Sequence, residues 1–133
     1  MGLKTMSLLT GATVSASGGS ALAFAENGVS VTNGLQLIVP ADADYQTRRS
    51  VTVKIKQPTV DPKTGVYSKD RKTMSLTLPM VLSDGKVVFN VIRVEREVHP
   101  SLSAANALEL NKLAAQMLID SDVTDFWAAG SLT

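Results

Sequence analysis

A chain of 133 residues, 44% hydrophobic and 19% charged, has the length of one globular domain and too little charge to be disordered throughout. It has no cysteine, which excludes a disulfide framework and any thiolate nucleophile or metal site. A net charge of +1 excludes a generally polybasic binder, so any electrostatic attraction must come from a local patch.

The first 25 residues partly imitate an export signal. Lys4 could serve as the basic end, and Ala23, Phe24 and Ala25 resemble a cleavage site before Glu26. Glycines, serines and threonines interrupt the apolar stretch, so a turn-broken β segment is the better reading. Residues 5–10 and 13–17 read as short strands around Gly11 and Ala12, which makes an N-terminal β-hairpin region of 1–27. Residues 21–25 form a further strand-like run. Asn27-Gly28 and Asn33-Gly34 signal turns. Residues 35–39 are a short apolar strand stopped by Pro40, and the loop after it carries Asp42 and Asp44. No run approaches the roughly 18 apolar residues of a membrane helix.

Residues 48–72 are the most distinctive stretch. Val51, Val53 and Ile55 point to one side of a strand, and Thr52, Lys54 and Lys56 to the other. Eight basic residues stand against Asp61 and Asp70, so the segment carries +6 while the other 108 residues sum to −5. Pro58 ends this strand, and residues 61–65 form a polar connector. The next strand alternates Met74, Leu76 and Leu78 with Thr73, Ser75 and Thr77, and Pro79 is expected to bulge or end it. Asp84-Gly85 reads as a two-residue hairpin turn into a strand over 87–98. There Ile92, Val94 and Val98 oppose Arg93, Glu95 and Glu97. The sheet spans 31–98 as an antiparallel meander with one apolar and one polar face.

Beyond Pro100 the period changes to that of a helix. Ser103 is a suitable N-cap, and Leu110, Leu113, Ala114, Met117 and Leu118 share one face. Glu109 and Lys112 lie on the flank expected to be exposed. A shorter helix begins at Ser121 or Asp122, carries Val123, Phe126 and Trp127, and ends at Gly130. Strands followed by helices over 103–130 make one α+β domain of residues 1–133. One long helix cannot cover such a sheet. Two copies joined edge to edge, each lending helices to the other's apolar face, would cover it and remove an open strand edge. Dimerisation through Leu110, Leu113, Met117, Leu118, Phe126 and Trp127 is therefore expected.

The residues give little support to an enzyme. His99 is the only histidine, so no Ser-His-Asp set can be assembled, and phosphate-loop and dinucleotide fingerprints are absent. Asp120, Asp122 and Asp125 lack the spacing of a calcium loop, and no metal or cofactor is implied. The polar sheet face is more informative. Thr52, Lys54 and Lys56 lie beside Arg71, Thr73, Ser75 and Thr77, and the third strand adds Phe89, Val91 and Arg93. Cations neutralise phosphates, hydroxyls donate, and an aromatic on an open sheet stacks an unpaired base. An ordinary solvated sheet face explains the same pattern equally well.

The order of elements resembles the coat proteins of the small single-stranded RNA bacteriophages of levivirus type. The similarity is carried by VTNGLQLIV at 31–39, RRSVTVKIKQPT at 48–59, KTMSLTLP at 72–79 and SAANALELNKLAAQMLID at 103–120. It implies a five-stranded sheet, two C-terminal helices, an interlocked dimer with a continuous sheet, and an icosahedral shell of such dimers. The implied location is the virion, with assembly in the bacterial cytoplasm. The implied partners are further copies of the chain and the RNA genome, with no membrane and no cofactor. By position, the named residues from Thr52 to Thr77 match the family's RNA-facing strands, and Phe89 with Val91 fall near its stacking aromatic and polar neighbour. That aromatic is usually tyrosine, and Ser75 stands where lysine is frequent. These departures favour general RNA packaging over recognition of a repressor stem-loop. Two alternatives stay open from sequence: a dimeric RNA-binding regulator that forms no shell, and an exported pilus-like or adhesin subunit.

Overall fold

The computed structural model describes residues 2–133, which divide into two compact units: 20–100, and 2–19 with 101–133. The first unit is a five-stranded antiparallel sheet in the order β1-β2-β3-β4-β5. Its strands are β1 (Ala25–Glu26), β2 (Gly34–Ile38), β3 (Ser50–Lys56), β4 (Asp70–Val81) and β5 (Val87–Val98). Every connection is a reversal, as expected for a meander.

The turns follow local chemistry. Asn33 adopts a left-handed φ of 56°, and Gly34 lies so close to β3 that a Cβ would meet the Val53 carbonyl oxygen at 2.1 Å. The β4–β5 loop is one residue longer than the two-residue turn expected. Gly85 takes a φ of 85°, and the Leu82 N–H donates to the Lys86 carbonyl at 2.8 Å, which closes a loop of three residues. Pro79 does not end β4. The strand continues to Val81, and beyond Thr77 it pairs only with β5, so a residue without an N–H sits where one side has no ladder. The 61–65 connector is the tip of a small reversal closed by a Val60–Tyr67 bridge.

The second unit holds α1 (Ala104–Ile119) and α2 (Thr124–Ala129), joined by a 3-10 turn at Ser121–Val123. Ser103 caps α1 by accepting from the Asn106 N–H at 3.2 Å, and Gly130 ends α2 in the left-handed region. The expected N-terminal hairpin is not a paired ladder. Among the described residues no backbone hydrogen bond joins 5–10 to 13–17, and residues 3–5 form a 3-10 turn. The segment's polar groups are taken instead by side chains of the helices. The Ser7 N–H donates to Asp122 and the Leu9 N–H to Gln116, and the Gln116 amide donates back to the Leu9 carbonyl at 2.9 Å. Glu109 accepts from the Gly11 N–H and the Thr10 hydroxyl, which hold its carboxyl below the usual range.

The covered side of α1 is thus the one bearing Glu109, Lys112 and Gln116, spaced for a single helix face. Leu110, Met117 and Leu118 are exposed while Leu113 is half-buried, so the expectation that Glu109 and Lys112 form a solvated flank is corrected. Gln116 is buried, and Gln116→Ala would strand both Leu9 backbone groups. The expected loss is about 1–3 kcal/mol of stability, measurable by denaturant unfolding. No helix among the described residues is long and apolar enough to cross a membrane.

Candidate nucleic-acid interface

Strand register decides which side chains share a face. Across β3, β4 and β5 it aligns Ser50–Thr77–Val91, Thr52–Ser75–Arg93, Lys54–Thr73–Glu95 and Lys56–Arg71–Glu97, with Phe89 opposite Pro79. All ten residues expected to meet RNA therefore lie on one face. Seven of them (Thr52, Lys54, Thr73, Ser75, Thr77, Val91 and Arg93) line one shallow concavity of 310 Å³. Lys56 borders a separate depression with Asn33 and Gln57, and Phe89 lines a groove beside Tyr45 and Arg48.

Charge is distributed less simply than the basic run suggests. Arg71 pairs with Glu95 at 2.9 Å and also with Glu97, so it occupies both glutamates of the face. Lys72 faces the other way, in the row Ile55–Lys72–Arg96, and pairs with Asp70 at 3.2 Å. Arg49 is committed to Asp42. With these cations engaged, Lys54, Lys56 and Arg93 carry no ion pair among the described residues. They supply the face's available positive charge, beside the hydroxyls of Thr52, Thr73, Ser75 and Thr77.

The loop before β3, which carries Asp42 and Asp44, is tightly built. Asp42 accepts from Arg49 Nε at 2.8 Å, Nη2 at 3.1 Å and the backbone N–H at 3.1 Å. The side-chain bonds, followed by the backbone bond, pull its carboxyl from the ordinary 3.8 down to about 2. The stabilisation from this link is complete above pH 3.8 and is lost as pH falls through about 2. Side-chain titration by NMR should find the midpoint there, and Asp42→Asn should remove this dependence from the unfolding curve.

The opposite face is apolar. Register aligns Leu35–Val53–Met74–Val94 and Leu37–Val51–Leu76–Ile92, with Leu78 and Met80 further along β4. Met74 remains 55% exposed and Leu76 41%. Among the described residues the buried apolar side chains are Val39, Pro79 and Val123. Of the residues expected at a dimer interface, Leu110, Met117, Leu118 and Trp127 are exposed, and Leu113 and Phe126 are half-buried. Trp127 Nε1 donates to the Met117 carbonyl at 2.9 Å, which positions the indole.

The sheet thus presents one open polar side and one exposed apolar side. No protein-family model matches the chain, and no curated protein sequence does. Solved structures do match. The chain is similar to a virus-like particle of bacteriophage GQ-907 at 42% identity and a TM-score of 0.92, over 98% of this chain and 99% of that one. The same fold occurs in the virus-like particle of Wenzhou levi-like virus 4, with a TM-score of 0.67 and 18% identity over 86% and 82% of the two chains. It recurs in that of bacteriophage AVE019, with a TM-score of 0.64 and 13% identity over 83% and 86%. The chain belongs to the levivirus-type coat proteins of the small RNA bacteriophages. Its role is that of a capsid structural protein, which displaces the regulator and pilus-subunit readings.

Proposed function

We propose that residues 1–133 act as one coat-protein domain, completed as an interlocked dimer with a continuous sheet. These dimers assemble in the bacterial cytoplasm into an icosahedral shell that holds single-stranded RNA against the polar face. The observation that carries this reading is the two-sidedness of the sheet. On its apolar side Met74 and Leu76 remain 55% and 41% exposed, the kind of contiguous apolar surface that obligate partners bury. A second copy supplies exposed apolar helix residues suited to that face, and Lys54, Lys56 and Arg93 are left to neutralise phosphates on the other.

Phe89 and Val91 lack the donors that a base-specific contact requires, which favours sequence-tolerant packaging over repression through one stem-loop. Expression of the full chain in bacteria provides the test. A megadalton particle with nucleic-acid absorbance and a visible shell in micrographs is the expected product. A stable, RNA-free monomer would overturn the proposal.

A further inference from the structure

Residues 12–17 lie between Gly11 and Gly18, both left-handed with φ of 70° and 78°, and belong to no helix or ladder. Ala12 and Val14 are half-buried while Thr13 and Ser15 are exposed, which is the two-residue period of a strand. Among the described residues, the backbone of residues 13–17 neither donates nor accepts a hydrogen bond. The run just before it is anchored along one edge. Its alternate N–H groups, on Ser7, Leu9 and Gly11, are held by Asp122, Gln116 and Glu109. A piece of strand length is thus presented from a fixed point with no ladder of its own, and buried or paired backbone is where such groups ordinarily end.

From Thr5 to Ala25 there is no charged residue and no proline. Those are the devices that ordinarily keep an open strand from pairing with another chain. The same absence argues against RNA as the occupant, because nothing in the stretch neutralises a phosphate. A second copy of the segment fits, since an uncharged strand meets itself across a two-fold axis without like-charge repulsion. We propose that residues 12–16 pair antiparallel with residues 12–16 of a second copy in the shell, with Val14 on the two-fold axis. Ala12 then lies opposite Ala16 of the second copy and Thr13 opposite its Ser15, which keeps apolar and hydroxyl side chains on separate faces. Two strands alone are marginal in water, so the pairing forms where assembly holds copies close together. It rests on the shell-forming reading and adds a contact between copies that is separate from the sheet's apolar face.

The chain has no native cysteine, so a single introduced thiol reports only its own contacts. In purified particles, Val14→Cys should oxidise to a disulfide-linked chain dimer, because opposed residues of paired strands have Cα atoms about 4.5–5.5 Å apart, within disulfide reach. Ser20→Cys, outside the pairing, should stay unlinked under the same oxidation. Val14→Asp sets two carboxylates opposite each other, so particles should be lost at low salt and recovered at high salt. Hydrogen exchange of the wild-type chain checks the pairing without any substitution. Alternate amides of 12–16 should exchange slowly in particles and rapidly in dissociated, folded protein, while those of β3 and β4 stay protected in both. Particles of Val14→Cys that remain unlinked would overturn the pairing and leave the shell-forming reading intact. Slow exchange over 12–16 in both states, with no link, would assign the partner strand to residues 5–10 of the same chain and overturn it equally. Failure of the wild-type chain to form particles removes both readings.

Discussion

Leu76→Asp is expected to yield no particles and no stably folded chain. Leu76 lies in the row Leu37–Val51–Leu76–Ile92 at the centre of the apolar face. If that face is covered by a partner's helices, the substitution forfeits about 1.5–3 kcal/mol of burial. It also places an unpaired carboxylate where desolvation costs several kcal/mol. Two-fold symmetry applies both penalties twice, against a total stability of roughly 5–15 kcal/mol for a typical domain. A solvated face would respond in the opposite way, with an added charge improving solubility and leaving the fold intact. Size-exclusion chromatography with circular dichroism separates these outcomes, and a soluble, folded, monomeric Leu76→Asp protein would refute the dimer. The same linkage predicts that the wild-type unfolding midpoint rises with protein concentration.

Lys54→Ala combined with Lys56→Ala should give shells nearly devoid of RNA. Both lysines lie on the polar face at consecutive positions of that face, without ion pairs among the described residues, so removing them breaks no internal bond. Each phosphate contact to a single strand contributes about 0.7 to the slope of log affinity against log salt. The double variant should therefore lower that slope by about 1.4 per chain and reduce the nucleic-acid absorbance of purified particles. Arg71→Ala should do less to the slope, because that guanidinium already faces Glu95 and Glu97. Unchanged RNA content and salt dependence in the lysine variant would remove these residues from the interface.

Much of the sheet was legible because its periodicity is strong and its faces differ. The alternation of Val51, Val53 and Ile55 with Thr52, Lys54 and Lys56 fixes which side each residue takes, and the strand over 87–98 matches β5 to the residue. Ser103 and Gly130 marked helix ends through capping chemistry that acts within a few residues. The N-terminal segment was misread for the opposite reason. Residues 5–17 have strand-like composition, but their backbone partners are Glu109, Gln116 and Asp122, about a hundred residues away, and local pattern carries no record of them.

By itself, then, the sequence determined the alternating faces, the turns that require Asn or Gly, and the amphipathic helix, all of which arise from neighbours along the chain. Only the tertiary structure decided which cations remain available. Arg49 meets Asp42 across a loop, Arg71 meets glutamates on the adjacent strand, and Tyr45 comes beside Phe89 through a chain reversal. Charge counts add along a sequence, whereas neutralisation and stacking depend on separations of a few ångströms that folding sets.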